Sequence, residues 1–329
     1  MSVLAVGGEA DCWEPVSGQD YAYDTTSGHY ELNVSRGAMK VTQGVSEIEL
    51  VTSQTLAEGY IHMYLYQEAV AGNVDDWIQI KKANGDPAFR ISLNADGTWA
   101  AQKYKSGVWS ADLAVTAGVV LANDAAAFDV YIKVDGTVGE FRIYKETVEI
   151  LTFAGDTSID NLTFGRVHVK GQTGSGNELS VSQVILADES TLGWKLASLN
   201  PTGNGANTQW TGNYTDVDEF VFDSTDFLEA LSTGLIETST MSDLNALLGS
   251  FNVKAVAFAT RAENDSGSSV NDIQATLRIS GTNYFSGNLG LAKDGTDHSV
   301  QTIFATNPAT GGSWSQSVVN ALEAGLKSV

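Results

Sequence analysis

Short runs of alternating apolar and polar residues, separated by tight-turn dipeptides, extend over almost the whole chain. Side chains of a strand point to opposite faces every second residue, so such runs describe strands with one buried and one wetted face. Ser46-Glu-Ile-Glu-Leu-Val, Ala88-Phe-Arg-Ile-Ser-Leu, Glu140-Phe-Arg-Ile-Tyr-Lys and Leu179-Ser-Val-Ser-Gln-Val all follow this pattern, and His29-Tyr-Glu-Leu-Asn-Val begins it. Tyr60-Ile-His-Met-Tyr-Leu-Tyr is almost wholly apolar or aromatic, as in a central strand covered on both sides. Asn84-Gly85, Asp96-Gly97 and Asp135-Gly136 supply the positive φ angles of tight hairpins. Many short strands without intervening amphipathic helices predict an all-β fold built from sandwiches.

The length of 329 residues allows two such domains, each jelly-roll-like. The pattern divides the chain into an N-terminal arm at 1–29, a β-sandwich at 30–190, a polar linker at 191–210 and a second sandwich at 211–329. The aromatic segment with Trp13, Tyr21 and Tyr23 suits an arm docking on a neighbouring subunit. Two short helices are expected in the second domain. One starts at Ser242; the other, from Ser315, is ended by Gly325.

Composition removes several classes of function. Eighteen Lys and Arg against forty Asp and Glu give a net charge of −22, which opposes nucleic-acid binding. No run approaches the roughly 20 apolar residues of a membrane helix, so no membrane insertion is expected. Cys12 stands alone and forms no intrachain disulfide. The start of the chain reads as lacking a signal peptide. Gly171 to Gly176 lacks the Lys-Ser or Lys-Thr of a phosphate loop.

Little catalytic chemistry is visible. Glu47 and Glu49 share one strand face, but the Glu-x-Asp-x-x-Glu arrangement of sandwich glucanases is missing, and a solvated edge explains them. His62 and His168 lie inside strands without a local metal-binding partner. The expectation is therefore a chain that is not an enzyme and that needs no cofactor. Asp216 and Asp218, with Asp223 and Asp226 nearby, form an acidic cluster that could offer oxygen ligands to Ca²⁺, though without EF-hand spacing. Trp99, Tyr104 and Trp109 cluster on a hairpin. They are candidates for a sugar-stacking platform, with packing in a core as the alternative for any one tryptophan.

Residues 30–190 resemble the laminin-G or concanavalin-like lectin sandwich through Tyr60 to Tyr66, the Asp96-Gly97 and Asp135-Gly136 hairpins and the closing Val181-Ser-Gln-Val-Ile-Leu-Ala-Asp. Residues 185–329 resemble a module of tailed-bacteriophage virion proteins. The likeness is carried by Leu186-Ala-Asp-Glu, Thr208-Gln-Trp-Thr-Gly-Asn-Tyr-Thr-Asp-Val-Asp-Glu, Val253-Lys-Ala-Val, Asn307-Pro-Ala-Thr-Gly-Gly-Ser-Trp-Ser and Val319-Asn-Ala-Leu-Glu-Ala-Gly. These resemblances imply a structural protein on the virion surface, assembled in the host cytoplasm, at the tail or as capsid decoration. Its partners would be other virion proteins, further copies of itself in a symmetric homo-oligomer, and host-surface glycan. A free carbohydrate-binding lectin module is the alternative, with a glycan depolymerase behind it.

Overall fold

A computed structural model describes residues 3–7, 14–15, 22–24, 26, 30–31, 38–41, 47–67, 75–121, 124–160, 163–170, 179–219, 225–244 and 251–329. Cys12, Trp13, Tyr21, Asp223, residues 171–176 and most of the strand expected from His29 lie outside them. The chain divides into two compact units that meet between Leu196 and Ala197. The regular secondary structure of the described residues is almost entirely strand, as the alternation requires.

The first unit is a sandwich of two antiparallel sheets. Sheet A runs β14 (Val148–Gly155), β13 (Gly139–Lys145), β12 (Asp124–Lys133), β6 (Glu58–Gln67), β16 (Leu179–Ala187), β4 (Ala38–Val41) and β3 (Ala22–Asp24), with β1 (Val3–Gly7) also on β16. Sheet B runs β10 (Val108–Trp109), β9 (Trp99–Lys105), β8 (Pro87–Leu93), β7 (Asp75–Lys81), β15 (Phe164–Lys170), β5 (Glu47–Leu56) and β2 (Glu14–Pro15), with β11 (Ala114–Val115) on β9.

The two sheets meet through their apolar rows. Ile61, Met63, Phe128, Val130, Phe141 and Ile143 of sheet A and Ile48, Leu50, Ile78, Ile80, Phe89, Ile91 and Val167 of sheet B are all buried. Two aromatic pairs cross the interface: Trp99 lies 4.6 Å from Phe128, and Phe89 lies 5.7 Å from Phe141, ring centre to ring centre. Each such side chain contributes about 1.5–3 kcal/mol by burial.

The hairpins follow the turn chemistry in part. Gly85 and Gly97 hold φ of +89° and +80°, and the Asp96 carboxylate accepts the Thr98 N–H at 3.0 Å. Gly136 is not among the positive-φ glycines; the Asp135 carboxylate instead accepts the N–H groups of Thr137 and Val138 at 2.7 and 2.8 Å. The β13–β14 hairpin turns on Glu146 and Thr147, whose φ values of +49° and +69° are unusual for residues with a Cβ.

The expected arm is corrected. Its described strands are part of the sandwich: β1 pairs with β16, β2 with β5 and β3 with β4. Leu4, Ala5 and Val6 of β1 are buried in that sandwich.

The second unit holds a five-stranded sheet of β17 (Pro201–Thr208), β18 (Ile236–Met241), β23 (Glu323–Ser328), β20 (Ile273–Ile279) and β21 (Thr282–Asn288), with a ribbon of β19 (Val256–Glu263) and β22 (Asp297–Phe304). Leu277 and Ile279 of the sheet cluster with Trp314, Val319 and Leu322, and Val256 and Phe304 of the ribbon pack against them. The expected linker at 191–210 is therefore partly strand. Residues 201–208 escape notice because they carry no apolar alternation; they form an edge strand whose side chains alternate between half-exposed and exposed.

Only one turn of the expected C-terminal helix forms, α1 (Gln316–Val319), capped by Ser315. Ser242 to Leu244 are not helical, and residues 245–250 lie outside the described set. Gly325 does not end a helix; it sits mid-strand between β18 and β20, where a Cβ would lie 2.0 Å from the Glu237 carbonyl oxygen. Tertiary pairing has overridden local helix propensity there. Gly325→Ala is expected to destabilise the second unit by about 1–3 kcal/mol through overpacking. Gly287→Ala, in open space, should leave it unchanged. Urea unfolding of the two variants checks this.

Candidate functional site

Burial of Ile48, Leu50, Ile78, Ile80, Phe89, Ile91, Val167 and Val169 sends the intervening side chains of sheet B to its outward face. The register then aligns them. His168 lies opposite Glu49 on one side and Gln79 on the other; Gln79 lies opposite Arg90, and Arg90 opposite Gln102. One polar row, Glu49–His168–Gln79–Arg90–Gln102, thus crosses five strands.

The row is tied together at both ends. Lys81 Nζ donates to Glu49 Oε2 at 3.0 Å and Arg166 Nη1 to Glu49 Oε1 at 2.5 Å. Arg166 also donates through Nε to the Ala83 carbonyl at 2.9 Å. Glu47 sits between His168 Nε2 and Lys170 Nζ, 3.2 Å from each. At the far end Arg90 donates to Gln102, which donates to Asp112 at 2.8 Å. The Arg90 guanidinium stands 4.3 Å over the Trp109 ring, and Tyr104 meets that ring edge-on at 5.1 Å. Aromatic face, cation and amide are the groups that stack on and hydrogen-bond to polar ring molecules.

Two groups of this face are shifted from their ordinary values. Burial opposes the charge on Glu49, but hydrogen bonds from Arg166 and Lys81 and their positive charges outweigh it and hold the carboxyl below its ordinary value. Burial, followed by the positive charge of Lys81, holds His168 below its ordinary value despite Glu47, so the ring is neutral at pH 7. Its Nδ1 is buried without a hydrogen-bond partner among the described residues.

The expected platform is corrected at Trp99. This residue is 0% exposed and faces Phe128 in the core, because it starts β9 on the inward parity. Tyr104 and Trp109 are on the outward face, half-exposed and in contact. The structure adds Arg90 to them, which sequence reasoning missed since a register of paired strands is needed to see it.

Of the two candidate cation ligands, Asp216 is engaged within its own turn. Asp216 closes a capping box on the short 3-10 turn Tyr214–Asp216, accepting the Asn213 N–H at 2.8 Å. Among the described residues no three His, Cys, Asp or Glu side chains gather as a metal site would require.

The outward face of sheet A is different. His62 Nδ1 lies 3.0 Å from Asp129 Oδ1, and Thr191 Oγ1 donates to the same oxygen at 2.6 Å, all three residues buried. This network clamps the segment after β16 onto the sheet.

No family of known proteins matches the sequence, and no curated protein matches it. Solved structures resemble parts of it at low identity. An endo-β-1,4-glucuronan lyase from the fungus Trichoderma reesei is 14% identical, with 57% of this chain and 96% of that chain covered and a TM-score of 0.42. An alginate lyase solved with an alginate tetrasaccharide is 11% identical, covering 57% and 99%, at 0.37. A carbohydrate-binding module from Bacillus subtilis is 12% identical, covering 56% and 96%, at 0.33. By name, two of these neighbours are lyases and one is a carbohydrate-binding module. Two of the three are enzymes, so the expectation that this chain is not an enzyme is withdrawn.

Trp99→Ala is expected to cost about 3–5 kcal/mol as a core truncation, and Trp109→Ala about 1–2 kcal/mol, through loss of its contacts with Arg90 and Tyr104. Chemical unfolding of both variants separates core from surface. The folded-state pKa of His168 lies below its ordinary 6.5, and that of Glu49 below its ordinary 4.5. In each case the unfolded chain binds the proton first, so stability is present above the ordinary value and is lost as pH falls. Thermal unfolding should weaken first as pH drops below 6.5 and again below 4.5; His168→Gln should remove the first loss and keep the second.

Proposed function

We propose that this chain is a tailed-phage virion protein, displayed in symmetric copies on the particle surface, whose first sandwich binds a host-surface glycan on the outward face of sheet B. The observation that carries the glycan reading is the half-exposed Arg90–Trp109–Tyr104 cluster at the end of an ordered polar row. A sugar ring stacks its C–H face on indole while its hydroxyls meet Gln102 and Arg90. The virion reading is supported by the sequence resemblance of residues 185–329, including Asn307-Pro-Ala-Thr-Gly-Gly-Ser-Trp.

A glycan array with the full chain tests the binding function, followed by titration of the best ligand. Trp109→Ala and Tyr104→Ala are each expected to weaken binding, Trp109→Ala by about tenfold, which corresponds to about 1.4 kcal/mol of stacking. Both variants should remain folded, with melting temperatures lowered by only a few degrees. Wild-type affinity in both variants would move the site elsewhere, and the absence of the chain from purified particles by mass spectrometry would remove the virion reading.

A further inference from the structure

The glycan reading sets its platform on a hairpin that has little to hold it at the sheet edge. β10 is two residues long and outermost in sheet B, joined to β9 by the Val108–Lys105 and Trp109–Tyr104 pairs. A short outer hairpin of this kind is marginal in water on its own. The turn adds to the cost, because Ser106 and Gly107 hold φ of +53° and +83°, the first unusual for a residue with a Cβ. We infer that residues 156–160, which follow β14 of sheet A, form a strut that fixes this hairpin, and that Lys105 and Asp160 are positioning residues for glycan binding; the inference rests on the glycan reading above.

The first argument is the set of ties. Lys103 lies opposite the buried Phe89, so Lys103 and Lys105 take the side of β9 away from Tyr104. Lys103 Nζ donates to the Asp156 carbonyl at 2.7 Å and stands 2.8 Å from its carboxylate. Lys105 Nζ donates to Ser158 Oγ at 2.6 Å. The Ser106 N–H, in the turn itself, donates to Asp160 Oδ2 at 2.9 Å. Residues 103, 105 and 106 thus meet 156, 158 and 160 in order. One exposed ion pair contributes little, but these contacts act together on one short element.

The second argument is that the segment is itself anchored. Thr157 is 0% exposed. Its Oγ1 donates to the Lys133 carbonyl at 2.5 Å and accepts the Asp135 N–H at 3.0 Å, and its own N–H donates to the Asp135 carbonyl at 2.9 Å. Gly139 leaves the room for it, since a Cβ there would lie 1.9 Å from Thr157 Oγ1. Ser158 stiffens the segment, donating through N–H and Oγ to Asp156 Oδ1 at 2.8 and 2.5 Å. Thr157 therefore holds the turn between β12 and β13 of sheet A, while residues 156, 158 and 160 hold the hairpin of sheet B.

The third argument is what such fastening does for stacking. Tyr104 and Trp109 belong to the hairpin, and Trp109 stands on its outer strand. If the hairpin moved freely, a sugar settling on Trp109 would have to order the backbone as well as itself, and affinity would fall. With the strut in place that freedom is already lost on folding. Lys105 and Asp160 then act on binding through the ring they hold in place.

Lys105→Met combined with Asp160→Ala in the full chain removes two of the ties and leaves Thr157 in place. Hydrogen exchange of amides 104–110, without any glycan, should quicken about tenfold. The probe for binding is the immobilised oligosaccharides of the glycan array, with calorimetric titration of the strongest binder; affinity should fall about threefold to tenfold. The melting temperature should stay within about 2 °C of the parent. Asp160→Ala alone serves if the double variant does not fold, and Asp160→Asn, which keeps an oxygen for the Ser106 N–H, should restore both exchange and affinity. Parent-like exchange in the double variant would overturn the strut. Faster exchange with parent affinity would overturn the positioning role and leave the glycan reading standing. A parent chain that binds no oligosaccharide of the array would overturn both.

Discussion

Everything on the outside of the first unit follows from the contact between its two sheets. Trp99 against Phe128 and Phe89 against Phe141 join sheet B to sheet A across the core. A strand has a period of two, so fixing one residue inward fixes the direction of every other residue on it. With Phe89 and Val167 committed to the core, Arg90, Arg166 and His168 have no choice of face. A slip of one residue in β8 would bury Arg90 and expose Phe89, at a cost no surface pairing could offset.

The outward faces of the two sheets are treated in opposite ways. On sheet A the chain covers itself: Thr191 reaches back to Asp129, which holds His62, and the polar groups satisfy one another. On sheet B charges are placed side by side and half-buried. Desolvating an ion is costly unless partners compensate, and Glu49 is compensated by two cations. Such a network adds little net stability. Its effect is positional, since it holds long, flexible Lys81 and Arg166 side chains in one arrangement.

Alternation at Ala88 to Leu93 and at Glu140 to Lys145 made the strands readable, and the Asn84-Gly85 and Asp96-Gly97 pairs marked hairpins that formed. Parity was not readable at Trp99, because an aromatic residue at a strand end suits either face until its partners are known. The union of Glu49 with Arg166 joins residues 117 positions apart, and only strand order brings them together. Residues 201–208 looked like a linker since an edge strand of Thr, Gly and Asn has the composition of a loop. The segment from Glu323 showed good helix formers, yet its neighbours on both sides were strands awaiting a partner. Local preference lost wherever long-range pairing was at stake.

The pairing of β1 with β16 brings Val3 beside Ala187, so the first and last strands of the sandwich run antiparallel as immediate neighbours. A module whose two ends emerge side by side makes almost no demand on the spacing of whatever it is spliced into. It can sit in a surface loop of another protein, or be cut and rejoined elsewhere around its circuit, without opening its core. Such a geometry separates the faces a unit presents from whatever carries it, and lets one be exchanged while the other stays.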